Sequence, residues 1–332
     1  MAQASLTHRQ RLEACLAGRT SDRVPVALWR HFPVDDQTPG GLAAATLQFQ
    51  RTFDFDLVKV TPASSFCLRD WGVEDVWRGH PEGTRDYTRS VIRHPEDWEN
   101  LPILDPSRGW LGNQLECLRM ITSELGPDVP VIQTIFSPLA QAKHLVAPGE
   151  LVAHLREFPE ALEAGLRRIA EGTSRFIQES LKTGIAGVFY AVQFAQYGLL
   201  SEEEFIRFGK RYDLTLLETA RGGWLNLLHL HGEHLMFRQA LDYPVQILNW
   251  HDRQTPPSLA EAQKSFPGVV CGGIRQWDTM VLGAPASVSA EVADAIEQTG
   301  GQHLIVGTGC VVPTIAPYGN ILASRQAVED RR

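Results

Sequence analysis

Short apolar runs alternate with longer amphipathic stretches from one end of the chain to the other. The runs at 23–29, 57–61, 131–136, 187–192, 225–231, 245–250, 269–273 and 303–306 are too short for independent helices and predict eight strands. Between them lie stretches of helical periodicity at 5–20, 42–52, 110–125, 139–183, 201–222, from 258 onward, 286–298 and 320–328. The long 139–183 stretch is interrupted at Pro148-Gly149 and Pro159, so it predicts two or three helices. Strand followed by helix, repeated along the chain, predicts an α/β fold and a closed (β/α)8 TIM barrel. The segment 66–92 breaks the rhythm: Trp71-Gly72-Val73 and 87–92 flank a Gly/Pro-rich piece, which predicts a β-hairpin inserted after the second strand. A doubly wound open sheet competes, but no glycine-rich loop follows the first run. No internal repeat or linker divides the chain, so one domain over 1–332 is expected.

The run Asn226-Leu227-Leu228-His229-Leu230-His231-Gly232 carries the first chemical signal. Residues two apart on a strand face the same side, so His229 and His231 share one face. Two imidazoles so placed can hold one metal ion or flank one substrate; a plain hydrogen-bonded pair is the competing reading. In a barrel, chemistry gathers where the strands end. By that rule His31, Gln193, His229, His231, Asn249, His251, Asp252, Arg275 and Cys310 converge on one mouth from distant parts of the sequence. His31, His251 and Asp252 are the candidate catalytic groups. Arg30, Lys59, Gln133, Gln193, Tyr190, Trp250 and Arg275 are the candidate substrate contacts; Lys59 stands out as a charge within an otherwise apolar strand. Trp29, Phe32, Phe136, Phe189, Tyr190, Phe194 and Trp250 offer rings for an apolar pocket, with core packing the plainer role for Phe136 and Phe189.

Composition narrows the function classes. Of 332 residues, 43% are hydrophobic and 21% charged, and the formal net charge is -8. With no basic run, binding to nucleic acid or to an anionic membrane is not expected. No apolar run reaches the ~18 residues needed to span a membrane, and the polar amino terminus lacks a signal-peptide core. Cysteines at 15, 67, 117, 271 and 310 show no short-range pairing, as expected of a cytoplasmic protein.

The motifs Arg23-Val24-Pro25, Asn249-Trp250-His251-Asp252 with 259–273, and Gly307-Thr308-Gly309-Cys310 followed by Val312-Pro313 and Asn320 resemble the uroporphyrinogen decarboxylase superfamily over nearly the whole length. The last of them looks most like its zinc-dependent corrinoid/thiol methyltransferase branch. That resemblance implies a zinc site at His229, His231 and Cys310, with an imidazole where the branch has a thiolate, and with Glu233 or His251 available for a fourth position. It further implies methyl transfer from a small-molecule or corrinoid donor to a thiol, with a separate corrinoid protein as carrier and a homodimer within the family's range. Asp252 would orient a ligand histidine. The decarboxylase branch carries two arginines after the first strand and an acid after the second; here 29–36 keeps only Arg30, and 59–62 has no acid. A cofactor-independent decarboxylase acting on a carboxylated ring is therefore the alternative, and a non-catalytic binding barrel the third reading.

Overall fold

The computed structural model describes residues 5–329. Seven parallel strands form the main sheet: β1 (Val58–Val60), β4 (Val131–Phe136), β5 (Gly187–Val192), β6 (Leu227–Leu230), β7 (Ile247–Trp250), β8 (Val269–Ile274) and β9 (Leu304–Thr308), hydrogen-bonded in that order. The remaining pair, β2 (Glu74–Val76) and β3 (Asp86–Arg89), is an antiparallel hairpin between β1 and β4. Strand order follows chain order without a switch point, because each helix returns the chain to the same growing edge.

The expected closed eight-stranded barrel is not formed; the sheet is a curled, open half-barrel of seven strands. The missing element is the run at 23–29. It touches β9 through one parallel bridge, Val26 with Val306, and forms no ladder with β1. Pro25 has no amide to donate. The Val26 amide, which a ladder would use, donates instead to the Asp56 carboxylate at 2.8 Å, while the Asp56 amide donates to the Val26 carbonyl. On the β1 side a side-chain carboxylate has taken the Val26 amide that a ladder would need.

Alternation divides the strand residues between two apolar compartments. Ala27, Trp29, Leu57, Ile132, Phe189, Leu227, Ile247, Val269 and Ile305 pack inside the curl. Val58, Val188, Tyr190, Leu228, Leu248, Trp250, Val270 and Leu304 pack outward against the helices. Three helices fill the expected 139–183 stretch, at Pro138–Ala142, Leu151–Glu157 and Pro159–Leu181. Capping boxes start the helices at Thr7, Ser201 and Ser258, where each hydroxyl accepts from the amide three residues on. No helix among the described residues is long and apolar enough to cross a membrane.

Candidate metal centre and active-site mouth

The inward parity of β6 carries His229 and His231 to the carboxyl-terminal mouth. His251 arrives from the loop after β7 and Cys310 from the loop after β9. One ligand atom from each of the four lies within 4.8 Å of every other. Cys310 Sγ stands 3.9 Å from His231 Nδ1. The ring centroids of His229 and His231 are 5.8 Å apart, and those of His231 and His251 5.4 Å.

Asn249 prepares His229. Both Asn249 Nδ2 hydrogens are committed, to the Cys271 carbonyl at 2.9 Å and the Thr308 carbonyl at 3.0 Å. Its Oδ1 is thereby turned to His229 Nδ1 at 2.7 Å, so Nδ1 carries the proton and donates, and Nε2 keeps its lone pair. Burial, then the fields of His231 and His251, hold His229 well below the usual histidine range. Burial and His251 push His231 down to about 4, and burial also lowers His251. Three imidazoles are therefore neutral at pH 7 with lone pairs to give. Burial pushes the Cys310 thiol up to about 11. Three nitrogens and one sulfur at this spacing fit a zinc-type ion, which takes tetrahedral N/S donor sets.

The other anticipated residues divide by parity. Lys59 points inward, one pleat above Leu57, and Gln193 reaches the mouth one pleat beyond Ala191. Arg30 donates to the Thr314 carbonyl at 3.1 Å and has no acidic partner among the described residues. His31 is buried and neutral; burial, Lys59 and Arg85 push it down to about 3. Gln133, Tyr190 and Trp250, expected to touch substrate, sit on the outward face instead. Gln133 bonds Gln114, Tyr190 donates to Asp213 at 2.7 Å, and Trp250 donates to the Pro257 carbonyl at 2.9 Å. Arg275 is neutralised by Glu291 on the rim. Asp252 does not orient a ligand histidine: its carboxylate accepts from the Gly273 amide at 3.1 Å and ties the end of β7 to the end of β8. The residue that fixes a histidine of the cluster is Asn249, through its 2.7 Å bond to His229. His251, expected as a catalytic group, stands among the candidate ligands.

Sequence reading missed Glu82 and Lys143. Glu82 sits at the turn of the β2–β3 hairpin, where its Oε1 accepts from Gln276 Nε2 and Trp277 Nε1 at 2.9 and 3.0 Å. Nothing local signals that reach. Lys143 follows the helix after β4 and lines a cavity of about 500 Å³ that opens onto His231. It lies after a strand end, which was the available signal.

A parallel α/β half-barrel thus carries at its mouth a His/His/His/Cys cluster able to hold a metal ion. Residues 7–331 match the sequence profile described as Uroporphyrinogen decarboxylase (URO-D), and the chain belongs to that family. The uroporphyrinogen decarboxylase of Enterobacter sp. (strain 638) is 26% identical over 232 residues, which cover 62% of this chain and 60% of that protein. That of Azotobacter vinelandii is 24% identical over 257 residues, 69% of this chain and 66% of that protein. The chain thus spans less than two thirds of the length of these curated relatives. Among solved structures, a methyltransferase from Methanosarcina mazei superposes with a TM-score of 0.84 at 19% identity, covering 98% of this chain and 99% of that one. A B12-independent methionine synthase from Shewanella sp. W3-18-1 gives 0.59 at 14% identity, covering 92% of each chain.

These findings correct the expectation of methyl transfer to a thiol. The sequence relatives bear the decarboxylase name, whereas the methyltransferase likeness is one of backbone geometry and establishes the fold alone. The family membership stands for the superfamily as a whole, not for a branch read from Gly307-Thr308-Gly309-Cys310.

Proposed function

We propose that the chain is a decarboxylase-type lyase acting on a small carboxylated ring compound at the mouth of the half-barrel. The observation that carries this reading is the cavity beside His231. Its volume of about 500 Å³ suits a small molecule. Phe194 and Leu199 give it an apolar wall, and Gln193 and Gln196 a polar one. The Lys143 ammonium stands on its rim with no ion pair or hydrogen bond among the described residues. An ammonium so placed is a ready partner for a substrate carboxylate.

The relatives' names support decarboxylation as the reaction class. The cations argue for a substrate with fewer carboxylates than a uroporphyrinogen: only Arg30 remains of the arginine pair, supplemented by Lys59 and Lys143. Lys143 and Arg30 would hold carboxylates, and the Phe194 and Leu199 wall would exclude water from the group to be lost. The bond from carbon to carboxylate breaks, carbon dioxide leaves, and the carbon takes up a proton. A zinc-type ion held by His229, His231, His251 and Cys310 would supply Lewis-acid polarisation of a substrate oxygen.

Carbon dioxide release from uroporphyrinogen and from a panel of pyrrole and benzene carboxylates, assayed with the zinc-loaded protein, tests the reading. A single-ring carboxylate is expected to react, and Lys143→Ala to raise KM about tenfold with a smaller change in kcat. No release from any member of the panel would sink the proposal.

A further inference from the structure

The Lys59 amine has no carboxylate partner among the described residues; burial pushes it down to about 7, and an anion beside it would favour the charged form. It is 7% exposed and makes no hydrogen bond or ion pair with any described residue. Its neighbours are the Phe189 ring, 4.4 Å from Nζ, the Trp29 ring at 6.0 Å, and Cys310, whose thiol burial keeps protonated. Aromatic faces offset part of the cost of burying an ammonium, but they leave its three hydrogens without acceptors.

Two more polar atoms on the same floor are unpaired. Trp29 Nε1 and His31 Nδ1 are both buried without a hydrogen-bond partner. Trp29 packs on the inward side with Leu57, its ring 6.0 Å from Lys59 Nζ, and His31, two residues on, is near enough to feel the Lys59 charge. Folded proteins rarely leave such atoms unmatched, and a cluster of them calls for a ligand. Indole and ammonium are donors only, whereas a carboxylate only accepts, with two oxygens and about four acceptor positions.

From this we infer that Lys59 and Trp29 form an anion site on the floor of the mouth, separate from the Lys143 rim, which binds a carboxylate of the substrate. The inference concerns binding and holds whatever reaction follows. Carbon dioxide release is not its readout, so it and the proposed reaction can fail separately.

Calorimetric titration with benzoate, and with benzamide as its neutral counterpart, tests the site in the wild type, Lys59→Met and Lys143→Met. Benzoate is expected to bind the wild type at least tenfold more tightly than benzamide, about the effect of one charge-assisted hydrogen bond. Lys59→Met is expected to erase that preference and to melt at or above the wild-type temperature, because it replaces an amine with no protein partner by an apolar chain of similar length. Four results would overturn the inference: no benzoate binding by the wild type, a preference intact in Lys59→Met, a loss confined to Lys143→Met, or a Lys59→Met protein that melts well below wild type.

Discussion

At the scale of single residues, the site depends on keeping imidazoles neutral. A histidine holding a proton on both nitrogens cannot ligate, and burial removes that proton from His229, His231 and His251. The thiol is the opposite case. With Cys310 pushed up to about 11, a metal must displace its proton to form the sulfur bond. Zinc uptake at pH 7 is therefore expected to release about one proton per ion, and to tighten roughly tenfold per pH unit on the acid side of the thiol's pKa. Calorimetry in buffers of differing ionisation enthalpy measures both. Uptake without proton release would show that Cys310 is not a ligand. Asn249→Ala is expected to weaken zinc binding ten- to a hundredfold by freeing the His229 ring to turn.

At the scale of elements, parity and close approach decide what reaches the mouth. A one-residue change of parity moves a side chain to the opposite face, which is why His229 faces in while Tyr190 and Trp250 face out. The loops that bring Cys310 to His251 touch through backbone: a Cβ on Gly309 would stand 2.6 Å from His251 Cα. Gly309→Ala must push the β7 and β9 loops apart. It is expected to cost about 1–3 kcal/mol of stability, and to lower zinc stoichiometry while far-ultraviolet circular dichroism stays unchanged. Full zinc occupancy in that variant would show that the loops have slack. The hairpin acts on the same mouth from above. Its Pro81 carbonyl accepts from the Thr314 amide and hydroxyl, and Gly83, at φ +78°, lies against His31. Composition marked the hairpin's existence; its landing place depends on the path of the chain between strands.

At the scale of the whole molecule, the unclosed edge is held by charge. Asp56, fully buried, accepts from Arg11 at 2.6 Å, from Arg23 at 2.5 Å and from His8 at 2.9 Å. Arg325 reaches Asp54 at 2.9 Å and Arg23 reaches Glu329 at 3.0 Å, so both ends of the described chain join the cluster. Burial opposes ionisation of Asp56, but hydrogen bonds from His8 and the charges of Arg23 and Arg11 outweigh it. Asp56→Ala would take the shared buried carboxylate from Arg11 and Arg23, leaving them Asp22 and Glu329, and is expected to destabilise by about 3 kcal/mol in urea unfolding, the lower end for a broken buried pair. Burial likewise opposes protonation of His8, but Asp54 and Asp56 overcome it and raise its pKa to about 9. A folded pKa above the unfolded value stabilises fully below pH 6.5 and is lost as pH rises through 9. The urea midpoint should fall across that window, and fall less in His8→Ala; equal slopes would exclude the linkage.

The amino-acid order by itself determined the alternation of strand and helix, seven of the eight strand positions, the hairpin, and the shared face of His229 and His231. These are local properties, set by side-chain period and by Gly and Pro. Only the tertiary structure decided that the Val26 amide would go to the Asp56 carboxylate and not to a β1 ladder, and that His251, not Glu233, would stand with the candidate ligands. It alone turned Asn249, not Asp252, toward His229, and left Lys59 without a counter-charge. Each of these depends on which backbone and side-chain atoms compete for the same partner across dozens to hundreds of residues, a competition settled only when the sheet curls and brings them within hydrogen-bond reach.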